Sequence, residues 1–515
     1  MGWKLFRRDP AAVLDALKAG QRPLAAMTGS LTELDEFVYL TYSLGVFEAL
    51  ELLKVNRKRE GIPDDLLLRT ATVLPFIQAF SLDGAAKALF GDPAILLQLG
   101  YTALNLREGF NERYHNAEGV KTALPVHPDV LRDELARLGR ESLRQFDERC
   151  VSEIFKRGLV RGNIYAVDAT GLHDDWKLVV LCNVTRARAF VVSWRLLPGN
   201  ASEKGVAAAV TLELVDEAIR RGARGDRAGI RLLVADAAYA DGPLLAQLKW
   251  GIGPDQRARG IETLVRLPEG REAYADMQGL ARLHSGMEFK DPKAQWETHR
   301  EVRYISGHKQ DRQVECAAFP SLTSWDGFDR EGGRLGAPKK AMELWGALVR
   351  EVEPKVQCVE EAMGLISTRS FPSAWAAYAT YRDRWEIENS VFRELKEGWH
   401  LEKAPWGRTE ETVRGRVSFT CVAFNTAKAY QTKSGQRVME LGIRRLGLEL
   451  RRSFGLAPVV VYVGDAYGIF ELETLLEVFG RPVAESVLPA AVRRRGGRTS
   501  PPPNGDGRGP PEERG

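Results

Sequence analysis

The chain has 515 residues, of which 44% are apolar and 28% charged. That balance excludes a disordered, highly charged polymer and leaves room for two to four packed domains. A formal net charge of +4 permits polyanion binding without requiring it. Five scattered cysteines (Cys150, Cys182, Cys316, Cys358 and Cys421) form no CxxC pair, which argues against a zinc ribbon or a disulfide framework. Each reads as a small buried hydrophobe in a reducing cytoplasm.

The opening stretch, MGWKLFRRDPAAVLDALKAG, has no uninterrupted apolar core followed by a small-residue cleavage site, so it does not read as a signal peptide. No run of about 18 apolar residues occurs, so no membrane span is expected. Residues 1–155 read as almost wholly helical. DEFVYLTYSLGVFEALELLKV and DDLLLRTATVLPFIQAFSLDGAAKALF repeat apolar residues at three- and four-residue spacing. HPDVLRDELARLGRESLRQFDERCVSEIF reads as one long amphipathic helix.

Between 156 and 250 the pattern turns to strands. NIYAVDATGL, WKLVVLCNV and AFVVSWRLLPG are Val- and Leu-rich runs bounded by turn residues. EKGVAAAVTLELVDEAIRRG then reads as a helix and IRLLVADAAYADG as a strand entering a loop. AIRRGARGDRAG, Ala218 to Gly229, closes that helix as a basic connection. Three strands, a helix and a strand suggest a mixed sheet covered by helices.

Residues 251–370 read as an inserted, strand-rich subdomain. GIETLVRLP, HREVRYIS and RQVECAAF look like strands, while PKKAMELWGALVREVE looks helical. Helix returns at 374–397 and 407–431, within a segment from 371 to 436. Residues 437–490 form a small mixed end-piece. The last segment, 491–515, is rich in Gly, Pro and Arg and is expected to be disordered.

Two acids stand out. Asp168 ends the apolar run IYAVD and Asp236 ends IRLLVAD. An Asp after an apolar strand can simply cap the next turn. Two of them in one sheet can also point at one spot, since ligand groups gather at the carboxyl edge of such sheets. Converging carboxylates repel and raise a pKa unless a cation lies between them. Hard oxygen ligands suit Mg²⁺ or Mn²⁺. A third carboxylate would complete a two-metal site of the kind that clamps the attacking and leaving oxygens of a phosphodiester.

YRDRWEIENSVFRELKEGWH, Tyr381 to His400, can supply it. At 100° per residue, Tyr381, Arg384 and Glu388 fall on one helix face. Arg384 and Glu388 are spaced to pair along the helix. Glu386 points nearly opposite Glu388, and Glu394 and Glu397 lie further along. An ordinary surface ion pair would explain this segment if it stood alone.

AVDATGL, LLVADAAY and YRDRWEIENSVFRELK together resemble the three acidic motifs of DDE-type insertion-sequence transposases, RNase H-like enzymes of the retroviral-integrase superfamily. The resemblance is to the subgroup with a strand-rich insertion between the second and third acids, and it spans residues 65 to 430. FSLDGAAKALFGDPAILLQLGY is similar to that family's N-terminal helical region. Tyr381, Arg384 and Glu388 meet its Tyr-x-x-Arg-x-x-x-Glu pattern. The pattern's lysine, seven residues past the glutamate, is replaced here by Leu395, with Lys396 one position later. On an α-helix Leu395 would lie under Glu388 and Lys396 would be turned aside by about 80°.

The resemblance implies an α/β fold: an RNase H-like mixed sheet flanked by helices, with a β-rich insertion and an all-helical N-terminal region. Residues 1–155 would bind DNA, 156–250 and 371–436 would form the catalytic core, and 251–370 the insertion. Asp168, Asp236 and Glu388 would be catalytic and would hold two Mg²⁺ ions, which Mn²⁺ can replace. Tyr381 and Arg384 would hold phosphate, Arg384 as a fork-shaped donor, with Lys396 as a further DNA contact. The implied reaction is hydrolysis at element ends, then joining of the 3′-hydroxyl to target DNA. Alternatives are an inactive DNA-binding descendant and a nuclease without strand transfer. Implied partners are double-stranded DNA, as terminal inverted repeats and target, and a second copy of the chain, in a prokaryotic cytoplasm and with no membrane.

Other candidate contacts are Arg107, Arg113, His115 and Lys121 near a helix–loop and the basic loop VNRKREG, Val55 to Gly61. Trp296 and Trp325 are placed to stack on a flipped base, or else to fill a core. His173, Asp174 and Asp175 follow the first strand and can reach the acidic site or form a polar turn.

Overall fold

The computed structural model describes residues 6–28, 37, 40–56, 62–76, 81–82, 89–90, 96–97, 99–110, 126–172, 175–184, 189–201, 203–225, 227–286, 296–305, 308–323, 334–336, 342–352, 362–402, 406–407, 409–433, 445–446, 448, 458–471, 474–475 and 478. The chain divides into two compact units. One comprises Met1–Ser30, Ala86–Val126 and Phe454–Gly515, the other Leu31–Ala85 and His127–Ser453. The first 155 residues therefore contribute to both. Among the described residues no helix is long and apolar enough to cross a membrane.

The larger unit is mixed α/β, built on one large sheet flanked by helices. Its strands are β1 (Ile164–Leu172), β2 (Trp176–Asn183), β3 (Phe190–Pro198), β4 (Leu232–Ala235), β5 (Glu262–Leu267), β6 (Trp296–Ile305), β7 (His308–Leu322), β8 (Leu344–Val352) and β9 (Met363–Ser367). Its principal helices are α1 (Arg140–Lys156), α2 (Glu203–Arg221), α3 (Gly242–Trp250), α4 (Glu272–Gly286), α5 (Ala374–Arg382) and α6 (Glu410–Lys433). The strand order is β3-β2-β1-β4-β5-β9-β8-β7-β6. β3, β2 and β1 form an antiparallel meander. β4 and β5 run parallel to β1, with α2 leading into β4 and α3 into β5. The remaining four strands extend the sheet antiparallel.

The central strands read as continuous apolar runs because helices cover the sheet. On one face, Leu232, Val234, Leu264, Leu365 and Trp345 pack beneath Ala374, Ala377, Tyr378 and Tyr381 of α5. At the other end of the sheet, β3 is an edge strand whose outward backbone groups need partners. Asn425 of α6 supplies them, accepting from the Val191 amide at 3.0 Å and donating to its carbonyl at 2.7 Å.

Three expectations are corrected. Leu344–Val352 is strand β8, not helix, paired with β9 and β7. Its run of Leu, Trp, Ala and Val is buried on both faces, so it carries no alternation to set it apart from a buried helix. The single long helix expected from His127 to Phe155 is two, Pro128–Leu135 and α1. It breaks at Gly139, whose extended backbone caps α1, while Leu138 bridges Val55. Finally, Arg7–Arg8 and Ala25–Thr28 are strands in a stretch expected to be helical. In the smaller unit they join Val459–Val463 and Ala466–Phe470 in a four-stranded sheet.

The four described cysteines, Cys150, Cys182, Cys316 and Cys421, are buried and unbridged, in keeping with their reading as core residues. Cys358 and the tail 491–515 lie outside the described residues.

Candidate active site

The parallel pairing of β1 with β4 runs from Ile164–Leu232 to Val167–Ala235. That of β4 with β5 ends at Ala235–Val265. The next residue on each strand is Asp168, Asp236 and Arg266 in turn. Registered partners share a face and side chains alternate along a strand. Val234 and Leu264 face the α5 side, so Asp168, Asp236 and Arg266 project there too, at the carboxyl edge of the parallel strands.

The expectation that Asp168 stands at the end of its strand is corrected: it lies within β1. β1 continues to Leu172 because β2 goes on pairing with it through Leu172–Trp176. What ends before Asp168 is the pairing with β4, and that frees one side of the backbone at the carboxylate.

Helix α5 brings the other partners. Ser373 caps its start by accepting from the Ala376 amide. Tyr381, 2% exposed, closes the apolar cluster over the sheet. Its hydroxyl lies 3.5 Å from Oδ1 of Asp236. The chain then turns, and Arg384, 6% exposed, enters the site. Nη1 of Arg384 donates to Oδ2 of Asp168 at 2.7 Å and to Oε1 of Glu388 at 2.7 Å. The guanidinium stands 5.5 Å from the Tyr381 ring centroid. Its Nε is buried without a partner.

The electrostatics follow from burial. Loss of water pushes the Asp168 carboxyl up to about 6, against the pull of Arg384 and the Ala169 amide; Glu388 and Asp236 add to the rise. Burial pushes the Tyr381 hydroxyl up to about 12, with Arg384 opposing. Burial works against the charge on Arg384, but facing Tyr381, Asp168 and Glu388 the guanidinium ends up holding its proton more firmly than usual. Glu388 is half exposed, its side chain at 50%.

The segment carrying Glu388 is not an ordinary α-helix. Ile387–Phe392 and Glu394–Gly398 are π-helical. The Arg393 amide donates to the Glu388 carbonyl, and that of Trp399 to Glu394. The reading at 100° per residue is corrected accordingly. An i→i+5 turn takes up about one residue more than an α-turn. The extra residue between Glu388 and Lys396 is the kind of insertion such a turn absorbs. Leu395 is 1% exposed, in the core. Lys396 is half-buried, with Nζ 3.7 Å from Glu402.

The competing glutamates are engaged elsewhere or turned to solvent. Glu386 accepts from Ser390, and Glu394 from Lys428 at 2.9 Å. Glu397 is exposed. Trp296 lies under the Arg350 guanidinium, 4.4 Å from the ring centroid, a contact that occupies its face. Asp175 is exposed in a turn, its carbonyl accepting from Gly199. Val55 lies in the bridge to Leu138. Arg113, His115, Lys121, His173, Asp174, Trp325, residues 57–61 and the side chain of Arg107 lie outside the described residues.

Sequence reading did not single out Arg266. Nothing local marks it; only its register with Asp236 does. It is exposed, and its charge is felt at Tyr381.

The donor set fits a hard divalent cation by chemistry, since Asp168, Asp236 and Glu388 offer carboxylate oxygens alone. Asp168 and Glu388 already share one positive charge, that of Arg384. Among the described residues no three acidic, His or Cys side chains stand close enough together to hold a metal ion. No family model matches the chain, and no curated protein matches it.

Proposed function

We propose that this chain is a DDE-type DNA transposase with an RNase H-like core, cleaving DNA strands at element ends and joining their 3′-hydroxyls to target DNA. One observation carries the reading: Asp168 and Asp236 each stand one residue past the last registered pair of two adjacent parallel strands, on the face where Arg384 links Asp168 to Glu388. Three further features support it. An antiparallel meander is followed by two parallel strands that extend the sheet from its first strand. A strand-rich stretch separates the second acid from the third. The third acid lies on the Tyr381–Arg384–Glu388 segment.

In this reading Asp168, Asp236 and Glu388 would hold two Mg²⁺ ions, whose Lewis acidity would serve the cleavage of a phosphodiester. The chain's own residues set the stage. Asp168 must be ionised, and Arg384 favours that state. Tyr381, a neutral phenol whose hydroxyl lies 3.5 Å from Asp236, can turn its single proton to that carboxylate or to a phosphate oxygen. Arg384 offers the planar donors that match phosphate. Lys396, whose ammonium stands 3.7 Å from Glu402, is a second phosphate contact in this reading. The partners are duplex DNA ends, target DNA and a second copy of the chain, since two ends must be joined together.

The test is to incubate the protein and Mg²⁺ with DNA carrying the ends of the flanking element. Cleavage exposing 3′-hydroxyls, followed by joined product, supports the proposal. Cleavage without joining makes it a nuclease. End binding without cleavage makes it an inactive descendant.

A further inference from the structure

Arg416, on helix α6, is 2% exposed. Its Nη2 donates to the carbonyls of Trp399 and His400, each at 3.3 Å. Those carbonyls lie just past the π-helical stretch Glu394–Gly398, where His400 takes the left-handed backbone at φ 50°. The guanidinium also stands 5.5 Å from the ring centroid of Trp406. Unlike Arg384, it has no carboxylate beside it among the described residues. Burial acts on it alone and pushes its pKa down to about 10.

The donors around this charge are unspent. Nε and Nη1 of Arg416 are buried without a partner, and so are the indole Nε1 atoms of Trp399 and Trp406 and the hydroxyl of Thr420. Trp399 and Trp406 are the residues that Arg416 meets through its donors and its flat face. Thr420 lies one helical turn past Arg416 on the same face. A buried donor without an acceptor is destabilising, and a buried charge without a counter-charge more so.

We infer that Arg416 and the indole N–H groups of Trp399 and Trp406 bind a small inorganic anion of the halide class. The uncompensated positive charge selects an anion. A water could accept from some of these donors but would leave the charge as it stands. The unspent groups are N–H and O–H donors with no carboxylate among them, which excludes a metal ion. Burial selects for size. Phe419 packs on Trp406 at 5.9 Å and Phe76 on Trp399 at 6.0 Å, so the site is walled by rings, and a single atom needs far less room than a phosphate group. A Cβ on buried Gly415 would meet nothing within 4 Å, so the flank of α6 beside Arg416 is not completely filled. The ion ties α6 to the end of the segment that carries Glu388. The inference does not rest on the DNA chemistry proposed for the carboxylate site.

The test is urea unfolding of the full chain in sodium chloride and sodium gluconate mixed at constant ionic strength, gluconate being too bulky for a buried site. Once the site is saturated, the folding constant of the parent should rise about tenfold for each tenfold rise in chloride. Arg416→Met, which exchanges an uncompensated buried charge for an apolar chain, should lose that dependence. Comparing the two removes the general effect of salt on folding. Crystals of the parent soaked in bromide need no variant: an anomalous peak should stand between the Arg416 guanidinium and an indole N–H. A parent whose stability ignores chloride overturns the inference. So does a chloride dependence that persists in Arg416→Met, or a bromide crystal with no peak at the guanidinium. DNA cleavage enters none of these readouts, so failure of the carboxylate site to cut DNA leaves the test intact.

Discussion

Asp168 and Asp236 stand side by side on neighbouring parallel strands, each one residue past the last registered pair, Val167 and Ala235. The arrangement is costly as it stands. Two carboxylates share one sheet edge, Asp168 is largely shielded from water, and Arg384 supplies the compensating charge. An edge built this way gains from any further cation.

The cost has a pH signature. The Asp168 carboxyl, ordinarily near 3.8, is pushed up to about 6 in the fold by burial. The folded state therefore binds a proton that the unfolded state has released, and stability falls as pH rises from about 4 to about 6, then levels. A gap of about two pH units corresponds to roughly 3 kcal/mol. Asp147, also pushed up to about 6 by burial, titrates in the same window, so the comparison has to be between variants. Asp168→Asn should be about 1–3 kcal/mol more stable than the parent at pH 8 and gain nothing at pH 4. Urea unfolding at the two pH values measures this; an equal gain at both would rule out the buried charge as its source.

Arg384→Met removes the guanidinium that Asp168 and Glu388 share. Breaking a fully buried pair costs about 3–5 kcal/mol. Here one partner is half exposed, so a loss of about 2–3 kcal/mol is expected. Added Mg²⁺ should raise the melting temperature of the variant more than that of the parent. Equal shifts would mean that the arginine is not standing in for a cation.

Arg266 is exposed beside the two acids and carries little of the fold. Arg266→Ala should leave the melting temperature within about 1 °C while weakening DNA binding and lowering the salt slope by about one. Affinity measured across a salt series decides it, and an unchanged slope would remove Arg266 from the DNA path.

The spacing of the lysine can be probed by exchange. Leu395→Lys with Lys396→Leu restores a separation of seven from Glu388 but puts a charge into the core. With Leu395 buried and the segment π-helical, the exchange should cost about 3 kcal/mol or more and should not raise activity. A stable, more active protein would show that the segment runs as an ordinary α-helix.

Much of this site was legible in the sequence because its signals are local. Each aspartate follows an apolar run, and Arg384 and Glu388 are spaced to meet within one turn, as they do at 2.7 Å. What escaped is non-local. Arg7–Arg8 and Ala25–Thr28 become strands by pairing with residues near the other end of the chain. Arg266 matters only through register across β4 and β5. Leu344–Val352 is apolar on both faces, so its period is silent. The π-turns were visible only as a lysine one place late, a misfit that assumes α-geometry. The reach of Arg384 to Asp168 needed the whole sheet to be in place.

The central claim is that Asp168, Asp236 and Glu388 act as one site. The most direct measurement is Mg²⁺-dependent cleavage of element-end DNA by Asp168→Ala, Asp236→Ala, Glu388→Ala, Glu394→Ala and Glu397→Ala, with end binding followed in parallel. The first three should lose cleavage and joining while still binding ends, and the last two should keep both. Full cleavage by Glu388→Ala, with loss in Glu394→Ala or Glu397→Ala, would contradict the account.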